Sequence, residues 1–160
     1  MTTGLSDAIL RLTALEKEAL APVYGPVDAF PAAFAYSARL PYWTNRYAGM
    51  TGALNGQDFY LAVQRVEMAL HLAQITENFP TQSEQNLWVQ IQAVLDYFWA
   101  RNRLQSVTYP TPMVDIDPRG ALITAVSPYQ PVVFGGIGGQ TVGIVFTIEI
   151  PIEVLITPAY

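Results

Sequence analysis

The stretch "PVVFGGIGGQTVGIVFTIEIPIEVLI", residues 131–156, decides the fold. Val142, Ile144, Phe146, Ile148, Ile150, Ile152, Val154 and Ile156 share one parity, and Thr141, Gly143, Thr147, Glu149 and Glu153 lie on the other. That alternation marks a strand with one face in a core. Fully extended, residues 141–156 span on the order of 50 Å against about 20 Å for an ordinary strand, more than one small domain is expected to cover. Pro151 has no N–H to donate, which predicts an edge, a bend or a departure from the sheet at that point. The glycines before the strand fit no phosphate loop. Counted from Gly136, a Gly-x-Gly-x-x-Gly pattern meets Thr141 at its sixth position, a strand follows instead of a helix, and no lysine stands nearby for a Walker loop. A hairpin or loop is the better reading, since glycine suits positive φ at a reversal.

Outside this segment the composition narrows the function classes. A chain of 160 residues fits one domain, spanning 1–160. With no cysteine there is no disulfide, thiolate zinc site or Cys nucleophile. The N-terminal twenty residues mix acids and an arginine among apolar residues, unlike a signal peptide, and no apolar run reaches the length of about 18 residues needed to cross a membrane. Charged residues make up 13% of the chain, against about 25% in ordinary domains. Lysine occurs once, as Lys17, beside 12% aromatics, so much of the surface is expected to be covered by other subunits. The net charge of −5 argues against adhesion to nucleic acid, which relies on Lys and Arg.

Residues 6–20 read as an amphipathic helix with Ser6 as N-cap and Pro22 as its stop. A short strand is expected around Ala33–Ser37, then an irregular aromatic stretch closed by the hairpin signal Asn55-Gly56. "RVEMALHL", Arg65–Leu72, alternates like a half-buried strand, although Ala62, Val66, Ala69 and Ala73 also have helical spacing. Thr81 with Glu84 forms a capping box opening a helix to about Arg103, whose stripe of Leu87, Ile91, Val94, Leu95 and Phe98 is widened by Trp88 and Trp99. A connection over 105–120 contains the type I turn Asp117-Pro118-Arg119-Gly120, and the strand "ALITAVS" follows it.

Catalytic and metal patterns are weak. His71 is the single histidine, and on the strand reading it shares a face with Arg65 and Glu67, which predicts a surface position. "DIDPRG" begins like a calcium loop but has Arg119 at position 5 and Val126 at position 12. Glu149 and Glu153 lie about 13 Å apart along one strand face, beyond the roughly 5 to 9.5 Å of a glycosidase pair. Aromatics interleaved with arginine between Arg39 and Tyr47 suit a protein interface, a single-stranded nucleic-acid platform or core packing.

In order, "APVYGPVDAFPAAFAYS", the pairing of "RVEMALHL" with "TQSEQNLWVQIQAVLDYFWARN", and "GGIGGQTVGIVFTIEIPIEV" make a chain that resembles the tail terminator proteins of long-tailed bacteriophages. The resemblance covers most of the chain, though it lies in patterns and not in catalytic signatures. It implies an α+β subunit: a mostly antiparallel sheet of about four strands with two helices packed on one face, long loops and an extended C-terminal strand. It also implies a ring, typically hexameric, in the virion at the head-proximal end of the tail, assembled in the host cytoplasm. Such a ring caps the tail tube, stops its polymerisation and presents a surface to the head. The implied partners are sister copies, the tail tube protein, a head-closure or connector protein and passing double-stranded DNA, with no membrane, no cofactor and no enzymatic activity. On this reading Tyr42, Trp43, Arg46, Tyr47, Tyr109 and Pro151 are candidates for subunit contacts, and Glu149 and Glu153 for a lumen or solvent face that repels DNA. The loops at 39–58 and 105–120 are longer than in shorter relatives, which leaves open another neck, head-completion or tube protein. A single-stranded nucleic-acid binder using Tyr42, Trp43, Tyr47 and Arg46 is the reading from a different class.

Overall fold

Thr141–Leu155 is one continuous strand, as its alternation predicts, in the computed structural model of the chain, which describes residues 4–32, 39–54, 59–74, 83–134 and 141–155. The elements are α1 (Leu5–Ala19), α2 (Ala21–Tyr24), β1 (Asp28–Phe30), β2 (Tyr42–Leu54), β3 (Phe59–Gln74), α3 (Ser83–Ala100), β4 (Leu122–Val126), β5 (Gln130–Pro131) and β6 (Thr141–Leu155). They build a six-stranded sheet in the order β1-β2-β3-β6-β4, with β5 also paired to β6. β1 runs parallel to β2, and the other pairings are antiparallel.

The α+β class stands. The finer expectation of about four mostly antiparallel strands and two helices is corrected to a mixed sheet of six strands with three helices among the described residues. β1 and β5 are three and two residues long, too short to show a period. α2 is a single turn with Pro22 as its second residue, where the missing N–H costs no helical bond. α1 starts one residue early, with Gly4 and not Ser6 at its N-cap and no side-chain cap bond. The strand expected at 33–37, the Asn55-Gly56 reversal, the Thr81 capping box, the glycines at 135–139 and Ile156 lie outside the described residues.

β2 replaces the irregular stretch expected after residue 41. Tyr47 pairs with Val66 and Met50 with Gln64, so Ala48 and Gly49 together oppose one residue of β3. Gly49 takes φ +107, open to glycine and strained for any other residue. This bulge reverses the parity of the strand: Trp43 and Asn45 share the inner face before it, and Met50 and Gly52 take that face after it.

α1 and α3 lie on one face of the sheet. Leu12 and Leu15 from α1 and Val94 and Phe98 from α3 close on Trp43, Val66, Met68, Leu70 and the even-numbered residues Ile144 to Ile152 of β6. Each such side chain contributes about 1.5–3 kcal/mol on leaving water. Beyond the helices the connection after α3 completes the layer with Leu104, Met113 and Ile116. Arg11 holds that connection to α1: it pairs with Asp7 at 3.1 Å and donates through Nη1 to the carbonyls of Leu104 and Thr111 at 3.3 and 2.7 Å. The predicted turn is present, with the Gly120 N–H donating to the Asp117 carbonyl at 2.8 Å.

Two expectations about the last strand are corrected. It does not outrun its own domain, because β3 matches it residue for residue from Phe59↔Leu155 to Gln74↔Thr141, apart from one irregularity after His71. On its other flank it meets β5, β4 and the Ile116↔Ile152 bridge. Nor is Pro151 at an edge: it is buried and paired with Val63. Its carbonyl accepts from the Asp117 N–H at 2.9 Å, so its nitrogen also points away from β3, and no β3 bond is lost. The Asp117 carbonyl, which a residue with an N–H at 151 would have engaged, accepts from Gly120 instead.

Candidate interaction surfaces

The sheet face opposite the helices is where the polar parity of β2, β3 and β6 collects. Arg46 pairs with Glu67 at 2.7 Å and Arg65 with Glu149 at 3.2 Å, so charges alternate in sign across the three strands. The Arg46 guanidinium also lies 4.3 Å from the centre of the Phe134 ring. Below that ring a groove of about 380 Å³ runs between Arg46, Glu67, Val126, Val133, Val145 and Thr147. Ala69, Val132 and Phe134 form a small apolar cluster there, with Val145 packed against it.

His71 is on this face with Arg65 and Glu67, as its parity predicts, but the surface position expected for it is wrong. It is fully buried. Its ring stacks on Tyr42 at 4.5 Å and 16°, and its nitrogens share hydrogen bonds with the hydroxyls of Thr44 (2.7 Å) and Thr141 (2.5 Å). Three strands are thereby joined by one imidazole. Burial disfavours its charged form and lowers its pKa from 6.5 to about 4. Both nitrogens are engaged inside the fold.

The inner face has a polar exception of its own. Glu16 of α1 is fully buried and accepts at Oε1 from Asn45 Nδ2 at 2.7 Å, and the same amide donates to the Phe30 carbonyl at 2.9 Å. Glu16 Oε2, Asn45 Oδ1 and Trp43 Nε1 are buried without a partner among the described residues. Burial, only partly offset by the Asn45 bond, holds the Glu16 carboxyl well above the usual carboxylate range. Nearby, Glu18 joins α1 to α3 by accepting from the Tyr97 hydroxyl at 2.8 Å; burial first and that bond second push Tyr97 up to about 12.

The candidates for subunit contacts separate into two groups. Tyr42 and Trp43 are interior, a correction whose cause is β2 itself: as adjacent residues of a strand they point to opposite faces, Trp43 into the core against Phe146 at 5.6 Å and Tyr42 onto His71. Pro151 is likewise buried, for the reasons given above. None of the three offers a surface to another molecule, and neither aromatic offers a ring face to a nucleic-acid base. Tyr109 is half-buried beneath Arg11, whose guanidinium lies 5.0 Å from its ring centre. Arg46 is accessible but paired. Tyr47 is 51% exposed and donates to Gln64 Oε1 at 2.9 Å. Glu149 and Glu153 are half-exposed on the open face, and Arg65 balances the first of them. Asp117 is held below the usual carboxylate range chiefly by the Arg119 side chain.

Two surfaces went unseen in the sequence. The first is the outer margin of β2. β1 pairs only with Tyr42–Thr44, and among the described residues no strand flanks β2 from Arg46 to Leu54. Tyr47 and Met50, 48% exposed, stand on the inner face of this margin beyond the reach of α1 and α3. The second is the flank of α3 bearing Trp88 and Trp99, which are 60% and 47% exposed and do not join the core as the stripe reading expects. The helical angle was the available signal: at 100° per residue both sit about 80–120° away from Leu87 and Phe98.

No protein-family model matches this chain, and no curated protein is significantly similar to it.

Proposed function

We propose that this chain is a structural subunit that associates with copies of itself into a ring, typically a hexamer, at the head-proximal end of a long bacteriophage tail. In this reading the ring caps the tail tube, ends its polymerisation and joins it to a head-closure or connector protein, with the genome passing through the lumen. The observation that carries the reading is the outer margin of β2 from Arg46 to Leu54, which no strand flanks among the described residues, with Tyr47 and Met50 beside it. Free backbone donors and acceptors over a length of about 30 Å, next to exposed apolar side chains, are a template for another chain. A head-to-tail contact made through such a margin closes into a ring when its rotation closes. The sequence resemblance supplies the phage context, and the low content of charged residues agrees with a surface shared among subunits.

Balanced charge on the open face changes one part of this picture. With Glu149 paired to Arg65 and Glu67 to Arg46, a lumen formed by that face carries mostly compensated charge, with Glu153 adding one acid, and DNA slides past it for want of attraction more than by strong repulsion. Light scattering tests the assembly: a mass several times 17.6 kDa is expected, and Tyr47→Asp together with Met50→Asp should reduce it. A protein that stays monomeric even when mixed with tails removes the reading. Imaging of particles lacking the protein tests the role, since overlong tubes mark a terminator and normal tails unjoined to heads mark another neck component.

A further inference from the structure

We infer that the flank of α3 bearing Trp88 and Trp99 binds the same flank of a second copy, antiparallel, about a two-fold axis near Gln92 and Leu95. The contact goes beyond the ring reading, because a two-fold contact closes on two copies and cannot by itself make a ring.

The position of the flank comes first. The Tyr97 bond to Glu18 turns one side of α3 toward α1. Trp88 and Trp99 lie on the other side, about 180° and 160° around the helix from Tyr97. α3 packs over the β4 end of the sheet, and no helix among the described residues continues the layer past it. The corresponding flank of α1 is closed, with Thr13 buried and Ile9 packed against the core.

Self-complementarity names the occupant. Trp88 and Trp99 are eleven residues apart, three turns, so they share a meridian to within about 20° and are separated by about 16 Å. Gln92 and Leu95 fall between them at equal distances from the centre of the stripe. The tryptophans bracket the stripe, so reversing one copy sets each tryptophan beside its opposite number, with exposed Gln92 between them and Leu95 leaning onto the core. Charge agrees: Glu84 and Asp96 against Arg101 and Arg103 leave the segment 83–103 neutral in a chain of net charge −5, so two copies meet here without the repulsion of the rest of the surface. A standard interface buries about 800 Å² per partner, and two half-exposed indoles of about 200 Å² each supply roughly a quarter of that.

The absence of cysteine gives a direct test. In Gln92→Cys the two introduced thiols would be offset by about 4.5 Å along facing helices, within reach of a disulfide. Mild oxidation of the full chain at micromolar concentration should convert most of it to covalent dimer, whereas Lys17→Cys, on the exposed side of α1, should not crosslink. Adding Trp88→Ala and Trp99→Ala should cut the yield at least tenfold and halve the mass seen by light scattering. An assembled Gln92→Cys protein that forms no crosslink, or a yield and mass indifferent to the two alanines, overturns the inference and leaves the ring untouched. So does protection of Trp88 and Trp99 only on adding tail tubes. If instead the α3 contact is found and the Tyr47 and Met50 variants leave the mass unchanged, the ring reading falls alone.

Discussion

The two faces of the sheet are made by alternate residues of the same strands, yet they are held together differently. On the inner face Val66, Met68, Leu70 and Ile144 to Ile152 meet two helices and are buried. On the outer face Val63 and Val145, no less apolar, remain half-exposed beside two ion pairs. What a residue buries is thus set by what packs over it as much as by its type. Each face also buries a titratable group: Glu16 in the apolar layer and His71 in the polar one.

The largest effect that separates the faces should come from Trp43→Ala, which opens a cavity against Phe146 and is expected to cost about 3–5 kcal/mol in urea unfolding. A cost below about 1 kcal/mol would mean the inner layer is not the stabilising one. Second comes His71. Its folded pKa near 4 lies below its ordinary 6.5, so its contribution is whole above pH 6.5 and is lost as the pH falls toward 4. The difference between the native chain and His71→Asn should therefore shrink by on the order of 3 kcal/mol between pH 7 and pH 4, read from urea midpoints. A difference that stays constant with pH would place the imidazole in water.

Glu16 has the opposite sign. Its folded pKa is raised, so its contribution is present below pH 4.5 and is lost as the pH rises toward the folded value. Glu16→Gln, which keeps an acceptor for Asn45, should stabilise the protein at pH 8 by about 1 kcal/mol or more and leave it unchanged at pH 4. Destabilisation at pH 8 would show that the ionised carboxylate is the form the core accepts. Smallest is Arg65→Ala on the outer face, expected to cost less than about 1 kcal/mol and to lose even that in high salt, since both partners of its pair are partly exposed.

Legibility in the sequence followed the length of unbroken period. β6 was plain because its even-numbered residues are apolar over fifteen positions, whereas the strand parity of β3 over Arg65–Leu72 competed with a helical spacing of Ala62, Val66, Ala69 and Ala73. β2 was hidden by its own bulge: Ala48-Gly49 shifts the parity midway, and aromatics occupy both faces at Tyr42 and Trp43. The parity of His71 was readable, but its burial depends on Tyr42, Thr44 and Thr141, which pairing brings from two other strands. Among the candidate contact residues only Tyr47 proved open and apolar, because exposure at β2 is decided by where β1 stops, a property of the fold and not of the local sequence.

Where β6 sits has a consequence for how the molecule is made. It lies between β3 and β4, and its partners on β3 were synthesised more than sixty residues earlier. Until it emerges from the ribosome, β3 has one naked margin and β4 has no strand to join, so the nascent chain carries open ladders that invite pairing with other nascent chains. Closing those long loops is slow compared with forming the β2–β3 hairpin. The last of the described strands to be made is the keystone of the sheet, and the interval before its arrival is when the other strands are most exposed to aggregation.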